Sequence, residues 1–234
     1  MCTNYTPTRR ERLDLLGLGR FAVEPGDWPP ETWPGYLAPL IVRGREPGDP
    51  LRLGLARFGL VPRWARDRAQ ADALSRHTYN ARHETAASKP SFRSAWRERH
   101  FALAPMDDFF EPCWEDPSSP GRSVRWRVAA VDGGPLTAAA LWERWIDPDT
   151  GEVLIGFSLL TCNADGHGIA SHLHRPGEEK RMPVLIPPAQ RKAWLEAAPE
   201  QAPAFMQALA AKALLAQAAP LRRKASGASG QAPP

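Results

Sequence analysis

The sequence predicts a single α+β domain, on three observations. Several stretches alternate apolar and polar residues with a period of two, the mark of half-buried strands. Helical segments fall between them too irregularly for a doubly wound sheet. And 234 residues, 43% of them hydrophobic, suffice for one buried core.

Taken in order, Thr8 with Glu11 three residues later has the form of a capping box. It predicts a short helix carrying Leu13, Leu15 and Leu16, directly after an N-terminal strand. Residues 21–50 are dense in Pro, Gly and acidic side chains, which predicts loop with one short strand at 35–42. Leu51, Leu53 and Leu55 alternate with Arg52 and Gly54, as in a half-buried strand. Phe101 opens an apolar strand that ends at Glu111. The period of two recurs at Val124-Arg125-Trp126-Arg127-Val128 and at 152–162, the latter after the turn signal Asp147-Pro148-Asp149-Thr150-Gly151. Residues 136–145 fit strand and helix alike. Val184-Leu185-Ile186 predicts a strand, Pro187-Pro188 opens a helix through Trp194, and the Ala- and Leu-rich 204–218 predicts another helix. Residues 220–234 join Arg222, Arg223 and Lys224 to Gly, Ser, Ala and Pro. They predict a disordered tail and leave residues 1–219 as the domain.

Thirty Lys and Arg against 26 Asp and Glu leave a net charge of +4, which permits a polyanionic partner without requiring one. The three cysteines, Cys2, Cys113 and Cys162, form no Cys-x-x-Cys pair. That argues against a disulfide framework and a zinc finger and fits a reducing cytosol. The N-terminus lacks the apolar stretch of a signal peptide, and no apolar run approaches the roughly 18 residues that span a bilayer. A cytoplasmic protein with no membrane partner is therefore expected.

Four segments can carry chemistry. Removal of Met1 would leave Cys2 with a free α-amine beside its thiol. Such an amine, with a pKa of about 7.7–8.0, attacks an aldehyde to form a Schiff base, and the thiol then closes a thiazolidine ring. The competing reading is a small buried residue starting a strand. Asn80-Ala81-Arg82-His83-Glu84-Thr85, followed by Phe92, Arg93 and Trp96, suits a nucleic-acid surface where arginines meet phosphates and rings stack on bases. Phe92 and Trp96, four apart, equally fit the inner face of a helix. Glu111 follows an apolar strand and sits among aromatics, surroundings that raise a carboxyl pKa and suit it to proton transfer; a solvated glutamate at a strand end is the alternative. His172 and His174 precede Arg181-Met182-Pro183. No further ligand stands at zinc spacing, so no metal is expected, and a histidine acting as acid or base near a cysteine is the better reading.

Together and in this order, the segments resemble the SOS-response-associated peptidase family, also called abasic-site processing proteins. The family pattern is an N-terminal Met-Cys-Gly-Arg-Phe, then Asn-Ala-Arg-x-Glu-Thr, an aromatic-Glu after an apolar strand, and a His shortly before Arg-Met-Pro. The resemblance covers roughly residues 1–196 and implies a β-rich, barrel-like core wrapped by helices, with a basic channel for single-stranded DNA. It implies Cys2 as crosslinking nucleophile, Asn80, Glu111 and His174 as its catalytic partners, and Arg82 as a phosphate ligand. Phe58-Gly59-Leu60-Val61-Pro62-Arg63-Trp64 is similar to the family's loop that wedges against DNA bases. Departures are Thr3-Asn4-Tyr5 in place of Gly-Arg-Phe, which removes a phosphate-binding arginine at Asn4. Pro112 stands where Trp is usual, and Arg-Pro-Gly-Glu-Glu-Lys is inserted after His174, leaving His172 as a fallback.

The function this implies is a covalent trap for abasic single-stranded DNA, needing no cofactor and working as a monomer in the DNA damage response. Two alternatives stay open: a cysteine peptidase using Cys2 and His174, acting on Met1 or in trans, and a non-catalytic binder of single-stranded DNA.

Overall fold

The computed structural model describes residues 2–24, 26–46 and 48–221. Its strands are β1 (Asn4–Pro7), β2 (Phe21–Val23), β3 (Leu37–Val42), β4 (Leu51–Phe58), β5 (Asn80–Arg82), β6 (Phe101–Cys113), β7 (Val124–Ala130), β8 (Leu136–Ile146), β9 (Val153–Asn163), β10 (Arg181–Pro183) and β11 (Leu214–Ala218). The α-helices are short: α1 (Arg68–Ser75), α2 (His83–Ala86), α3 (Arg93–Arg97) and α4 (Arg191–Glu196).

Five strands close a ring. β9 runs parallel to β4; β4 pairs antiparallel with β3, β3 with β6, β6 with β8, and β8 returns to β9. The result is a closed five-stranded β-barrel inside a single α+β domain, which leaves the ring without an edge. Register sorts the side chains into two faces. Ala102 pairs with Ala140 and Ala104 with Ala138, and these small residues on the interior face leave room there for a few rings. Phe58 and Phe157 are those rings, paired in register and stacked at 5.2 Å. The outer face carries Phe101, Leu103 and Leu141, all fully buried. Helices cover it: Trp96 of α3 meets Phe101 edge-on at 5.6 Å, and Trp194 of α4 lies 4.5 Å from the same ring. The Trp194 indole N–H donates to the Ala102 carbonyl at 2.8 Å, satisfying its one polar atom.

Most expected strands form, and 136–145 resolves as strand β8 because it fills the gap between β6 and β9. Five expectations need correction. The turn after Thr8 is a 3-10 helix, Arg10–Leu16, and Arg9 at its N-cap makes no side-chain capping bond; Thr8 is buried and faces the core instead. Residues 21–50 hold a second short strand, β2, parallel to β4. β6 runs on to Cys113, so Glu111 lies within the strand and is buried rather than solvated. The strand expected at 184–186 is shifted to β10, while Val184 and Ile186 bond the chain to β9 and β8. Residues 204–218, expected helical on Ala and Leu content, break into 3-10 turns and β11, which pairs with β7 from Leu214↔Ala130 to Ala218↔Trp126. The open β7 edge offers a ladder of hydrogen bonds that outweighs local helix propensity. The expected disordered tail lies, from residue 222, outside the described residues.

Candidate active site

β1 lays the N-terminus against β6, with Asn4 opposite Phe110 and Tyr5 opposite Phe109. That pairing sets Cys2, fully buried, beside the part of β6 that carries Glu111. β5 runs parallel to β9 and presents Asn80, whose Nδ2 donates to the Cys2 carbonyl at 2.8 Å. The Asn80 Oδ1 is buried without a hydrogen-bond partner. The Cys2 Sγ lies 3.6 Å from the Asn4 carbonyl. Burial, then the charge of Glu111, pushes the Cys2 thiol far above its ordinary value, so it holds its proton at neutral pH.

His174 follows an isolated bridge to Cys113, with its backbone N–H donating to the Pro112 carbonyl at 2.6 Å, and it takes a left-handed φ of 66°. This turn aims the ring at β6. Nδ1 lies 3.4 Å from Glu111 Oε2, and Nε2 lies 2.8 Å from the Arg181 carbonyl. A carbonyl only accepts, so Nε2 carries the proton and Nδ1 presents its lone pair to Glu111. Burial raises the Glu111 carboxyl to about 7 and lowers the His174 imidazole to about 4. Both shifts favour the neutral forms, leaving at pH 7 a neutral ring beside a carboxyl close to half-ionised.

Arg181 anchors this geometry, a role that nothing in the linear chain signals. Buried on β10, it donates to Glu84 at 2.8 Å, Glu179 at 2.6 Å, and both Thr161 oxygens. Glu84 belongs to the Asn80–Thr85 motif, so one guanidinium ties that motif to the histidine loop. Lys180 closes the inserted segment by donating to the His174 and Arg175 carbonyls. His172 sits elsewhere: it is exposed and bonded to Glu115 at 2.8 Å.

The expected DNA contacts divide. Arg82 is exposed and paired with Glu179 at 2.7 Å; with His174 and Arg181 the two line a cavity of about 250 Å³. Trp64 is 43% exposed, and its indole N–H donates to Pro90, joining its loop to the turn before Phe92 and Arg93. Arg93 is exposed and Phe92 half-buried. Three expected contacts are buried or already engaged in the free protein. Phe58 is wholly buried among Tyr5, Tyr79 and Phe157, with no face left for a base. Trp96 packs inward on Phe101, as its spacing from Phe92 allowed. Arg63 spends its donors on Glu98 and Glu143. Asn4, where the resemblance puts an arginine, is buried and bonded to Glu31 and the Thr32 carbonyl. Arg125 of β7 reaches its Oδ1 at 2.6 Å and lies over the Phe110 ring, a partner no motif signalled. Among the described residues no group of His, Cys, Asp or Glu is placed to hold a metal ion, and no helix is long and apolar enough to cross a membrane.

The family model described as SOS response associated peptidase (SRAP) matches residues 1–222. The abasic site processing protein YoqW of Bacillus subtilis (strain 168) is 30% identical over 148 residues, covering 63% of this chain and 59% of that protein. YoaM of the same organism, which carries the same description, is 28% identical over 165 residues, 69% of this chain and 64% of its own. The match thus spans less than two thirds of these relatives' length. A solved structure from Bordetella bronchiseptica superposes with a TM-score of 0.83 at 31% identity, over 94% of this chain and 100% of the other. One from Bacteroides thetaiotaomicron, at 19% identity and a TM-score of 0.76 over 93% and 91%, shares the fold.

Proposed function

Since the chain belongs to the SOS response associated peptidase family, we propose that it processes abasic sites, trapping them in single-stranded DNA as a covalent adduct of Cys2. The observation that carries the reading is the placement of Cys2: its carbonyl is clamped by Asn80, and Glu111 with its neighbour His174 lies beside it.

Removal of Met1 frees the Cys2 α-amine. The amine adds to the C1′ aldehyde of the ring-opened sugar, giving a carbinolamine. Glu111 in its acid form protonates the departing hydroxyl, water leaves, and a Schiff base remains. The ionised Glu111 then takes the thiol proton that burial otherwise retains, and the sulfur adds to the imine carbon. Glu111 ends as it began, and the balance is aldehyde plus aminothiol giving thiazolidine and one water. His174 presents a neutral lone pair to Glu111 and accepts the carboxyl proton's hydrogen bond while Glu111 is in its acid form, before the first step and after the second. Asn80 fixes the attacking residue, so the reaction is intramolecular in character once the sugar is bound.

Arg82, Trp64, Phe92 and Arg93 form the DNA-facing surface in this reading, with Arg82 on phosphate. The second reading is a cysteine peptidase with Cys2 as nucleophile, acting on Met1 or in trans; the lie of His174 against Glu111 and the Arg181 carbonyl favours the trapping reading over it. The reading expects a monomer acting in the cytoplasm, nucleoid-associated when bound to DNA. The test is intact mass after incubation with an abasic single-stranded oligonucleotide. The expected product begins at Cys2 and gains the oligonucleotide less one water. An unmodified chain, or an adduct on a lysine, sinks the proposal.

A further inference from the structure

At the end of the barrel away from Cys2, the interior opens into a cavity of about 420 Å³. Four of the ring's five strands have a part in its wall, Val42 on β3, Gly54 on β4, Ile155 on β9 and Trp142 on β8, joined by His100 just ahead of β6. These are side chains that register turns inward, since Val42 pairs with both Arg52 and Ala102, Trp142 with Phe157, and Arg144 with Ile155. The stacked Phe58 and Phe157 close the lumen below. From Phe101 to Glu111, β6 covers roughly 33 Å at ~3.3 Å per residue, so this mouth and the Cys2 site are separate places.

Its charge is one-sided. Arg43, Arg45, Arg52 and Arg144 line the cavity with a single carboxylate, Glu24, which is bonded to Arg52. Glu143, next to Arg144 in the chain, is taken by Arg63 and approached by His100 at 3.4 Å. Among the described residues, Arg43, Arg45 and Arg144 are thus left without a carboxylate partner. Partial desolvation, and then the nearby charge of Arg99, weaken the Arg43 guanidinium's hold on its proton. Beside these cations, Trp142 and His100 stack at 4.5 Å and 21°, giving the wall a flat aromatic surface. The volume is that of a small-molecule site and exceeds what a bare phosphate fills.

We propose that this barrel mouth binds a nucleoside phosphate, its phosphate held by Arg43, Arg45 and Arg144 and its base laid against Trp142. Guanidinium forks match phosphate oxygens in pairs, and every base offers a face for stacking. A free nucleotide and one unit of a DNA strand share this chemistry. The inference does not rest on the chemistry at Cys2.

Calorimetric titration of the full chain tests it, with thymidine monophosphate, inorganic phosphate and an intact ten-nucleotide oligothymidylate as probes. Thymidine monophosphate is expected to bind at least tenfold tighter than phosphate. The double variant Arg43→Ala/Arg144→Ala, at two exposed positions, should lose at least tenfold with an unchanged melting curve. Trp142→Leu should erase the advantage of the nucleotide over phosphate. Oligonucleotide binding that survives Arg82→Ala but falls in the double variant assigns the ligand to a strand; binding of the mononucleotide alone assigns it to free nucleotide. The proposal is overturned if neither ligand binds, or if binding ignores Arg43 and Arg144. Adduct formation at Cys2, measured on the same double variant, separates this outcome from failure of the trapping reading.

Discussion

His174 is held between an acceptor and a proton-bearing partner: its Nε2 donates to the Arg181 carbonyl at 2.8 Å, and its Nδ1 lone pair faces Glu111 at 3.4 Å. The first contact fixes the tautomer, and the second turns a buried carboxyl and a buried imidazole into one proton-holding unit. Because Arg181 also grips Glu84 and Glu179, the ring's orientation depends on the same residue that fastens the Asn80 segment.

Glu111→Gln tests the proton cycle. The amide fills the same space but neither donates an acidic proton nor accepts the thiol's, so adduct formation should slow by ~100-fold or more. Non-covalent affinity for an intact oligonucleotide should stay within about twofold. Single-turnover rates on gels, with fluorescence anisotropy for binding, read the two quantities. Equal adduct rates would remove Glu111 from the chemistry.

The same carboxyl makes stability depend on pH in a set direction. Its folded pKa, about 7, lies above the usual carboxylate range, so the unfolded chain ionises first and stability falls as pH rises to about 7. His174, lowered to about 4, works oppositely: the unfolded chain protonates first as pH drops below the ordinary histidine range, so stability rises with pH up to about 6.5. The two offset each other in mildly acidic buffer, and above it the cost of ionised Glu111 stands alone. Glu111→Gln should therefore gain stability over the parent at pH 8, by on the order of 1–3 kcal/mol, and much less at pH 5. Urea melts at the two pH values decide; an equal effect at both contradicts the shift.

Glu179 occupies Arg82 in the free protein at 2.7 Å, where a phosphate oxygen would sit. Glu179→Gln should raise affinity for single-stranded DNA several-fold at low salt. Arg82→Ala should lower it and flatten the dependence of log affinity on log salt by ~0.7. Both are measured in a Cys2→Ser background, which itself should retain binding and lose the stable adduct. A salt slope untouched by Arg82→Ala, with a lower melting temperature, would make the residue structural.

Much of this site is legible in the linear chain, because Cys2, Asn80, Glu111 and His174 each stand in a local motif. The period of two marks the strand at Leu51, Leu53 and Leu55, with Arg52 and Gly54 between them. It fails at β8, which is buried almost throughout and so reads as strand or helix. It fails again at β11, where Ala and Leu content speaks for helix and only the distant β7 edge decides otherwise. Phe58 misleads for a related reason: the resemblance around it implies a DNA-facing loop, but the ring's burial is set by Phe157, far away in the chain. Arg125 has no local signal, since its partner Asn4 lies 121 positions away.

The loop that carries Trp64 rests on two glycines in contact. Gly59 adopts φ +136°, and a Cβ there would meet the Ser75 carbonyl oxygen at 2.5 Å; a Cβ on Gly156 would meet the Gly59 oxygen at 2.6 Å and the Leu60 Cα at 3.1 Å. All of these obstacles are backbone, so neither position relaxes by turning a side chain aside. The Gly59 N–H donates to Phe157 at 2.9 Å, which locks the start of the loop to β9. Gly156→Ala should therefore push the loop off β9 and cost about 1–3 kcal/mol, a drop of roughly 2–12 °C in melting temperature for a domain of this size. If Trp64 contributes a stacking face, intact single-stranded DNA should also bind more weakly, and Trp64→Ala should reproduce that loss without the drop in melting temperature. Val153→Ala, at an exposed position on the same strand, serves as control and should change neither quantity. Weakened binding in Gly156→Ala with full binding in Trp64→Ala would show that the loop's backbone, and not the indole, faces the DNA.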